Sequence, residues 1–304
     1  NHHLIFDFGG ESAEAFNAAY VWDGGGVDAN WNTAANWSSD IVPGTNDTVT
    51  FNNTCITNCN PTINLSTSVS GITIASTYAG TITQSNGTTL TIGTGGFSQS
   101  GGVFRGGNGT TTTSGDFIIL GGTFNAASTT EFTRNSTTIN INSTQDFFNL
   151  VMNGNSIASK TISSGDVLVV NGTLYLSRGN VATGNIQAKG NIIQASIMEG
   201  SSAVIDFAND SLSQTWTING GTGPIMRLDS AADASDSIII NTHAGFNGAT
   251  ITSAFVGTIP IANSGNYDLT FGTGGYSQAA GTFNGGAGTT TFSGGFNISG
   301  GTFN

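Results

Sequence analysis

Eighteen Asp and Glu residues, three His and two Cys are the side chains of this sequence equipped for acid–base, metal or thiol chemistry. Hydrolysis of a glycoside needs two carboxyl groups at a set separation. Here the acids are dispersed, at Asp116, Glu131, Asp146, Asp166 and Glu199. Closer groups are Asp206 with Asp210, and Asp229, Asp233 and Asp236; these read as solvated loop residues. His2, His3 and His243 have no Ser or Cys nucleophile beside them in sequence, so no triad is indicated. The expectation is a protein that is not an enzyme and carries no cofactor.

Cys55 and Cys59 sit in the segment Thr54-Cys55-Ile56-Thr57-Asn58-Cys59-Asn60. A local disulfide is the first reading. So short a loop gains little from closure entropy, and its effect would be to pin a turn. A metal site completed by His2 and His3 is a rival that matches no standard ligand spacing; two free thiols are the third reading. Asp23, Asp28 and Asn30 are oxygen ligands of the kind calcium takes. Their spacing fits no calcium loop, and Asx-type turns are preferred there.

The elements that must position these residues show first in composition. Of 304 residues only 8% are charged, with 6 Lys plus Arg against 18 Asp plus Glu and a net charge of −12. Soluble domains usually carry ~25%, so neutral Thr, Ser and Asn supply most of the polar surface. Six cations cannot neutralise a phosphate track, which argues against nucleic acid. No apolar run approaches the ~18 residues of a membrane span. Disorder is rejected because 37% of residues are hydrophobic and the 19 Phe are regularly spaced.

Two periods organise the chain. The long one is about 178 residues: Gly93 to Asn125 aligns with Gly272 to Asn304, placing Phe97 on Tyr276, Phe104 on Phe283, Phe117 on Phe296 and Phe124 on Phe303. With small insertions the repeat extends over residues 71–125 and 248–304. The short period is about 20 residues, one coil of a solenoid. Gly101-Gly102-Val103-Phe104 recurs as Gly121-Gly122-Thr123-Phe124, and Gly281-Thr282-Phe283 as Gly301-Thr302-Phe303. Within each coil, runs such as Thr89-Leu90-Thr91-Ile92 and Thr138-Ile139-Asn140-Ile141 alternate apolar and polar residues, the period of a strand. Asn-Gly and Gly-Gly pairs separate them and supply corners.

The predicted fold is therefore all-β: a parallel β-solenoid with about 20 residues per coil. Phe104 over Phe124, and Phe283 over Phe303, should form internal aromatic ladders. Outward Thr, Ser and Asn would stack as neutral ladders where like charges would repel. About 240 residues would give a rod of roughly 55–60 Å at one coil per strand spacing. The one plausible helical turn is Glu11 to Tyr20.

Residues 21–60 differ from the rest. Trp22-Asp23-Gly24-Gly25-Gly26, Asn30-Trp31, Asn36-Trp37-Ser38, Pro43-Gly44 and Asp47-Thr48-Val49-Thr50-Phe51 follow in order. This spacing resembles the opening of repetitive bacterial surface proteins, autotransporter-type passengers with β-strand repeats. The resemblance covers nearly the whole chain from Tyr20. It implies export, a bacterial extracellular or cell-surface setting, and no catalytic centre. Physically, Trp22, Trp31 and Trp37 would cap the first coil, because an uncapped solenoid exposes an edge; a carbohydrate-stacking surface is the less favoured reading. The solenoid proper is assigned to residues 61–304.

Residues 1–20 form an N-terminal arm in which Leu4, Ile5, Phe6 and Phe8 read as an apolar strand. Asn1 in place of Met reads as a processed terminus. At the other end, Phe296, Ile298 and Phe303 read as a half-finished coil without a cap, which either continues in a longer chain or is completed by another subunit. The expected function is a structural subunit of an extracellular filament or surface layer, in which copies of the chain join head to tail by strand addition or coil stacking. The alternative is a surface-displayed adhesin or glycan-binding stalk, with surface glycans as partner.

Overall fold

The computed structural model describes residues 17–134, 136–154, 159–208, 213–230, 235–263 and 265–304. The backbone winds as a parallel β-solenoid of about 11 turns with roughly 22 residues per turn. The expected twenty-residue coil holds from Phe104 to Phe124, which are direct partners. Elsewhere longer corners raise the mean, as between the partners Ile192 and Trp216 or Phe246 and Phe271. Each coil adds a strand to its predecessor, so no strand depends on a tight hairpin, and register is fixed by which side chains face inward.

Side chains stack in columns along the interior. One runs Tyr20, Val49, Ile72, Phe97, Phe117, Ile139, Ile162 through seven successive coils. Another runs Leu168, Ile186, Ile205, Met226, Ala249, Tyr276, Phe296. A third runs Leu90, Thr111, Thr130, Leu150, Leu174, Ile192, Trp216, Ile238, Ile261. Alternating residues point outward, as the period of two requires.

Thr is not confined to the surface. Thr111, Thr113, Thr130 and Thr137 are buried. They lie in the coils where Phe97, Phe104, Phe117, Phe124, Phe132 and Phe147 crowd the interior. A core of fixed packing density that takes so many rings in one region needs small residues opposite them. The outer surface does carry neutral ladders: Asn64 donates to Asn32 at 2.8 Å, Asn241 to Asn219 at 2.7 Å, and Asn304 to Asn284 at 2.9 Å.

Glycine is required where coils approach closely. Gly275 has φ +76°, and a Cβ there would lie 2.6 Å from the carbonyl oxygen of Gly295 on the next coil; no side chain fits. The helical reading of Glu11 to Tyr20 is corrected at its end. Ala19–Val21 is a strand, paired in parallel with Thr48, Val49 and Thr50; the edge of the first coil outweighs the local preference of a few alanines. The remainder, through residue 16, lies outside the described residues. Ala34–Asn36 and Ser38–Asp40 are short 3-10 turns. No helix among the described residues is long and apolar enough to cross a membrane.

Candidate functional site

The Trp-rich segment lies across the first coil. Trp22, Trp31 and Trp37 are buried. Trp37 meets Trp22 edge-on at 4.9 Å and Trp31 at 4.7 Å, and all three rings pack on Phe51. Such edge-to-face contacts match the quadrupoles of the rings. Trp22 Nε1 donates to the carbonyl of Asn58 and Trp37 Nε1 to that of Trp31, each at 2.8 Å. With no ring face open to solvent, these tryptophans are not a surface on which a sugar can stack.

Cys55 and Cys59 are joined in a disulfide with Cα atoms 5.5 Å apart. That takes both thiols out of any metal site with His2 and His3, which lie outside the described residues. Asp28 accepts from Asn30 N at 3.0 Å, Asn30 Nδ2 at 2.7 Å and Thr33 Oγ1 at 2.7 Å, and Asp23 accepts from Gly25 N at 3.1 Å. These are Asx-type turns. The Thr33 hydroxyl, followed by the Asn30 amide, holds the Asp28 carboxyl below its ordinary value. Among the described residues no cluster of three or more His, Cys, Asp or Glu is placed to hold a metal.

Five of the acids share a role that their sequence spacing hid. Asp47 accepts from Ala18 N at 3.0 Å, Asp116 from Thr138 N at 2.8 Å, and Asp268 from Thr289 N at 3.0 Å. Asp166, nearly buried, accepts from Ile141 N and Ser143 N, both at 2.8 Å. Asp236, also buried, accepts from Gln214 N at 2.8 Å. Each carboxylate accepts from a backbone N–H on an adjacent coil, at a corner or, for Thr138, near the start of a strand.

The solvated-loop reading is therefore corrected for Asp206 and Asp236; Asp210 and Asp233 lie outside the described residues. Asp206 sits in the strand Val204–Phe207, 2% exposed, and pairs with Arg227 directly above it on the next coil. Arg227 Nε also lies 3.5 Å from Asp229 Oδ2. Burial raises the Asp206 carboxyl above its ordinary value, while Arg227 pulls it back. His243 Nδ1 accepts from the Asp268 amide at 3.0 Å and is exposed. The geometry thus assigns these charges to coil-to-coil bonding.

Two further sets of residues escaped the reading from sequence. Buried glutamines lock corners: Gln84 Nε2 donates to Thr88 and Thr110 carbonyls at 2.9 Å each while its Oε1 accepts from Thr111 Oγ1 at 3.0 Å. Gln194 Nε2 likewise donates to Gly220 at 2.9 Å. Gln99 and Gln278 bind corner carbonyls too, and for that pair the Ser-Gln shared by residues 98–99 and 277–278 was the available signal. Lys160 is wholly buried with no hydrogen-bond partner for Nζ; nothing in its neighbourhood of sequence marks it.

The ladder residues stack as direct partners. Phe104 and Phe124 lie 5.1 Å apart with ring planes 7° from parallel, and Phe283 and Phe303 lie 5.0 Å apart at 12°. Phe296 stacks on Tyr276 at 5.7 Å. Phe296 is 50% and Ile298 39% exposed. Leu4, Ile5, Phe6 and Phe8 lie outside the described residues. No family model matches the chain, and neither the curated proteins nor the solved structures hold a match to it. The architecture is consistent with that of repeat β-helical proteins.

Proposed function

We propose that this chain is a structural component of an extracellular bacterial filament or surface layer, joined by stacking one coil on another. The observation that carries the reading is the recurrence of one coil-to-coil geometry. Phe283 over Phe303 repeats the geometry of Phe104 over Phe124, with the same parallel register. A face that accepts one coil of this pattern accepts any other, because the bonding is backbone ladder plus a ring column. Phe296 and Ile298 continue the columns of Tyr276 and Gln278 in the same parallel register, so the coil-to-coil pattern carries on unchanged from one coil to the next.

An oxidising, extracellular setting is supported by the Cys55–Cys59 disulfide and by a surface of neutral amide and hydroxyl ladders. The bacterial assignment rests on the likeness of the Trp22 to Phe51 segment to passenger proteins. Head-to-tail contacts that do not close give filaments.

Electron microscopy of the purified chain tests the reading. Fibres with a regular axial repeat are expected, and Phe296→Asp with Ile298→Asp should reduce them to single rods. A parent chain that stays as single rods over a wide range of concentration would overturn stacking between copies. Deletion of residues 1–10 tests the arm separately: unchanged assembly would remove it from the contact.

A further inference from the structure

Phe148 breaks the pattern of the solenoid. Its neighbour Phe147 points into the core and is buried, while Phe148 lies at the corner between Thr144–Phe147 and Asn149–Met152 with 56% of its surface exposed. The strand register places Ser128 on the coil below it and Gly172 on the coil above. Neither residue has a side chain large enough to cover a ring. The backbone is tied: Gly172 N donates to Phe148 O at 2.7 Å. A Cβ at position 172 would lie 2.8 Å from that oxygen and 2.6 Å from Asn149 Oδ1, so no larger side chain fits at 172 beside Phe148.

Grooves of about 260 Å³ and about 240 Å³ flank the ring and share Phe148 and Ala126 as lining. The rim is neutral amide and one carboxylate. Asn125, Gln145, Asp146 and Asn171 border the larger groove, and Asn108 the smaller. Part of this rim is already braced: Gln145 Nε2 donates to Phe124 O at 3.0 Å and to Asp146 O at 2.9 Å, and Asn171 Nδ2 approaches Asp146 Oδ1 at 3.3 Å. That bracing leaves Gln145 Oε1 and Asp146 Oδ2 as acceptors on a held frame.

We propose that Phe148 and its flanking grooves form a binding site for a neutral pyranose saccharide. The chemistry of recognition is specific to that class. A pyranose with equatorial hydroxyls presents a face of C–H groups, which rests on the negative face of an aromatic ring. Its edge presents hydroxyl pairs, which planar amides and a carboxylate bind as donors and acceptors. Each groove holds about one ring, and the two are joined across Phe148, so an oligosaccharide can lie over it. No cation lines either groove, which disfavours a sulfated or uronic-acid chain. The site is independent of coil stacking, because it lies on the side of the rod in the middle of the solenoid.

Saturation-transfer NMR and titration calorimetry with cellotetraose, chitotetraose and mannotetraose test it. At least one should bind with a dissociation constant between tens of micromolar and a few millimolar. Phe148→Ala should weaken that binding at least tenfold, and Phe148→Tyr should retain it; Asp146→Asn should weaken it several-fold. Phe148 is exposed, so all variants should keep the parent melting curve. Absence of transfer to all three probes, or equal binding by Phe148→Ala, would overturn the site. Sedimentation showing that Phe148→Ala abolishes self-association without any saccharide signal would instead identify the ring as a contact between copies, and would equally overturn it.

Discussion

Tyr276 donates its hydroxyl hydrogen to Gln278 Oε1 at 2.8 Å, inside the corner where that glutamine grips the next coil. Gln278 Nε2 binds the carbonyls of Ala280, Gly281 and Thr302 at 3.2, 3.0 and 3.0 Å. One long repeat earlier, Gln99 Nε2 binds Gly101, Gly102 and Thr123 in the same way. There Phe97 stands where Tyr276 does, and Gln99 Oε1 is buried without a partner. Phe97→Tyr should supply the missing donor and stabilise the first repeat by about 1 kcal/mol, while Tyr276→Phe should destabilise the second by about 1–2 kcal/mol. Urea unfolding read region by region through hydrogen exchange checks both, since coils of a solenoid need not melt as one unit.

Asp166→Ala removes one acceptor from two amides, Ile141 N and Ser143 N, on the coil below. The Ile141 donor would be stranded at a buried position, while Ser143, which is exposed, would turn to water. The expected loss is about 2–3 kcal/mol, with faster amide exchange at those two residues and little change in distant coils. Asp166→Asn, which keeps one carbonyl oxygen, should lose less.

The ladders were legible because Phe104, Phe124, Phe283 and Phe303 recur with a fixed spacing and an invariant Gly-Thr or Gly-Val before them. A periodic core writes itself periodically. The carboxylate staples were not legible, since Asp47, Asp116, Asp166, Asp236 and Asp268 fall in corners of different length. Their common feature is the unpaired N–H on an adjacent coil, which exists only once the coils are stacked. Lys160 occupies an inward position between Thr137 and Val181, where alternation alone allows any residue that can be desolvated. The expected coil length came out short because it was read from the most regular stretch, around Phe104 and Phe124.

Trp37 sits between Trp22 and Trp31 and on Phe51, so it is the centre of the cap. Trp37→Ala should cost about 3–5 kcal/mol. Loss should be confined to residues 19–63, seen as early proteolysis there while the rest of the rod stays protected.

Reduction of Cys55–Cys59 should have a smaller and local effect. The closed loop is short, so the chain-entropy contribution is about 2 kcal/mol. The carbonyl of Asn58, inside that loop, accepts from Trp22 Nε1. Freeing the loop should therefore change Trp22 fluorescence before any loss of β-sheet circular dichroism. A coincident loss of both signals would mean that the disulfide holds the whole fold.

Lys160 gives the chain a pH dependence of known sign. Burial lowers its ammonium from 10.5 to about 8, against the charge of Glu131, which raises it. Between those two values the unfolded chain holds a proton that the folded chain has released. Stability must then rise with pH across that window, and the penalty for burying the amine is fully present below pH 8. The shift corresponds to about 3 kcal/mol. Lys160→Met keeps the length of the side chain and removes the charge. At pH 7 it should stabilise the surrounding coils by about 2–3 kcal/mol, and the gain should shrink toward zero by pH 10.5. Paired urea titrations of the two proteins at pH 7 and pH 10 read this difference directly, because every other titrating group is common to both. A gain of the same size at both values would show that Met improves packing and that the amine carries no burial penalty.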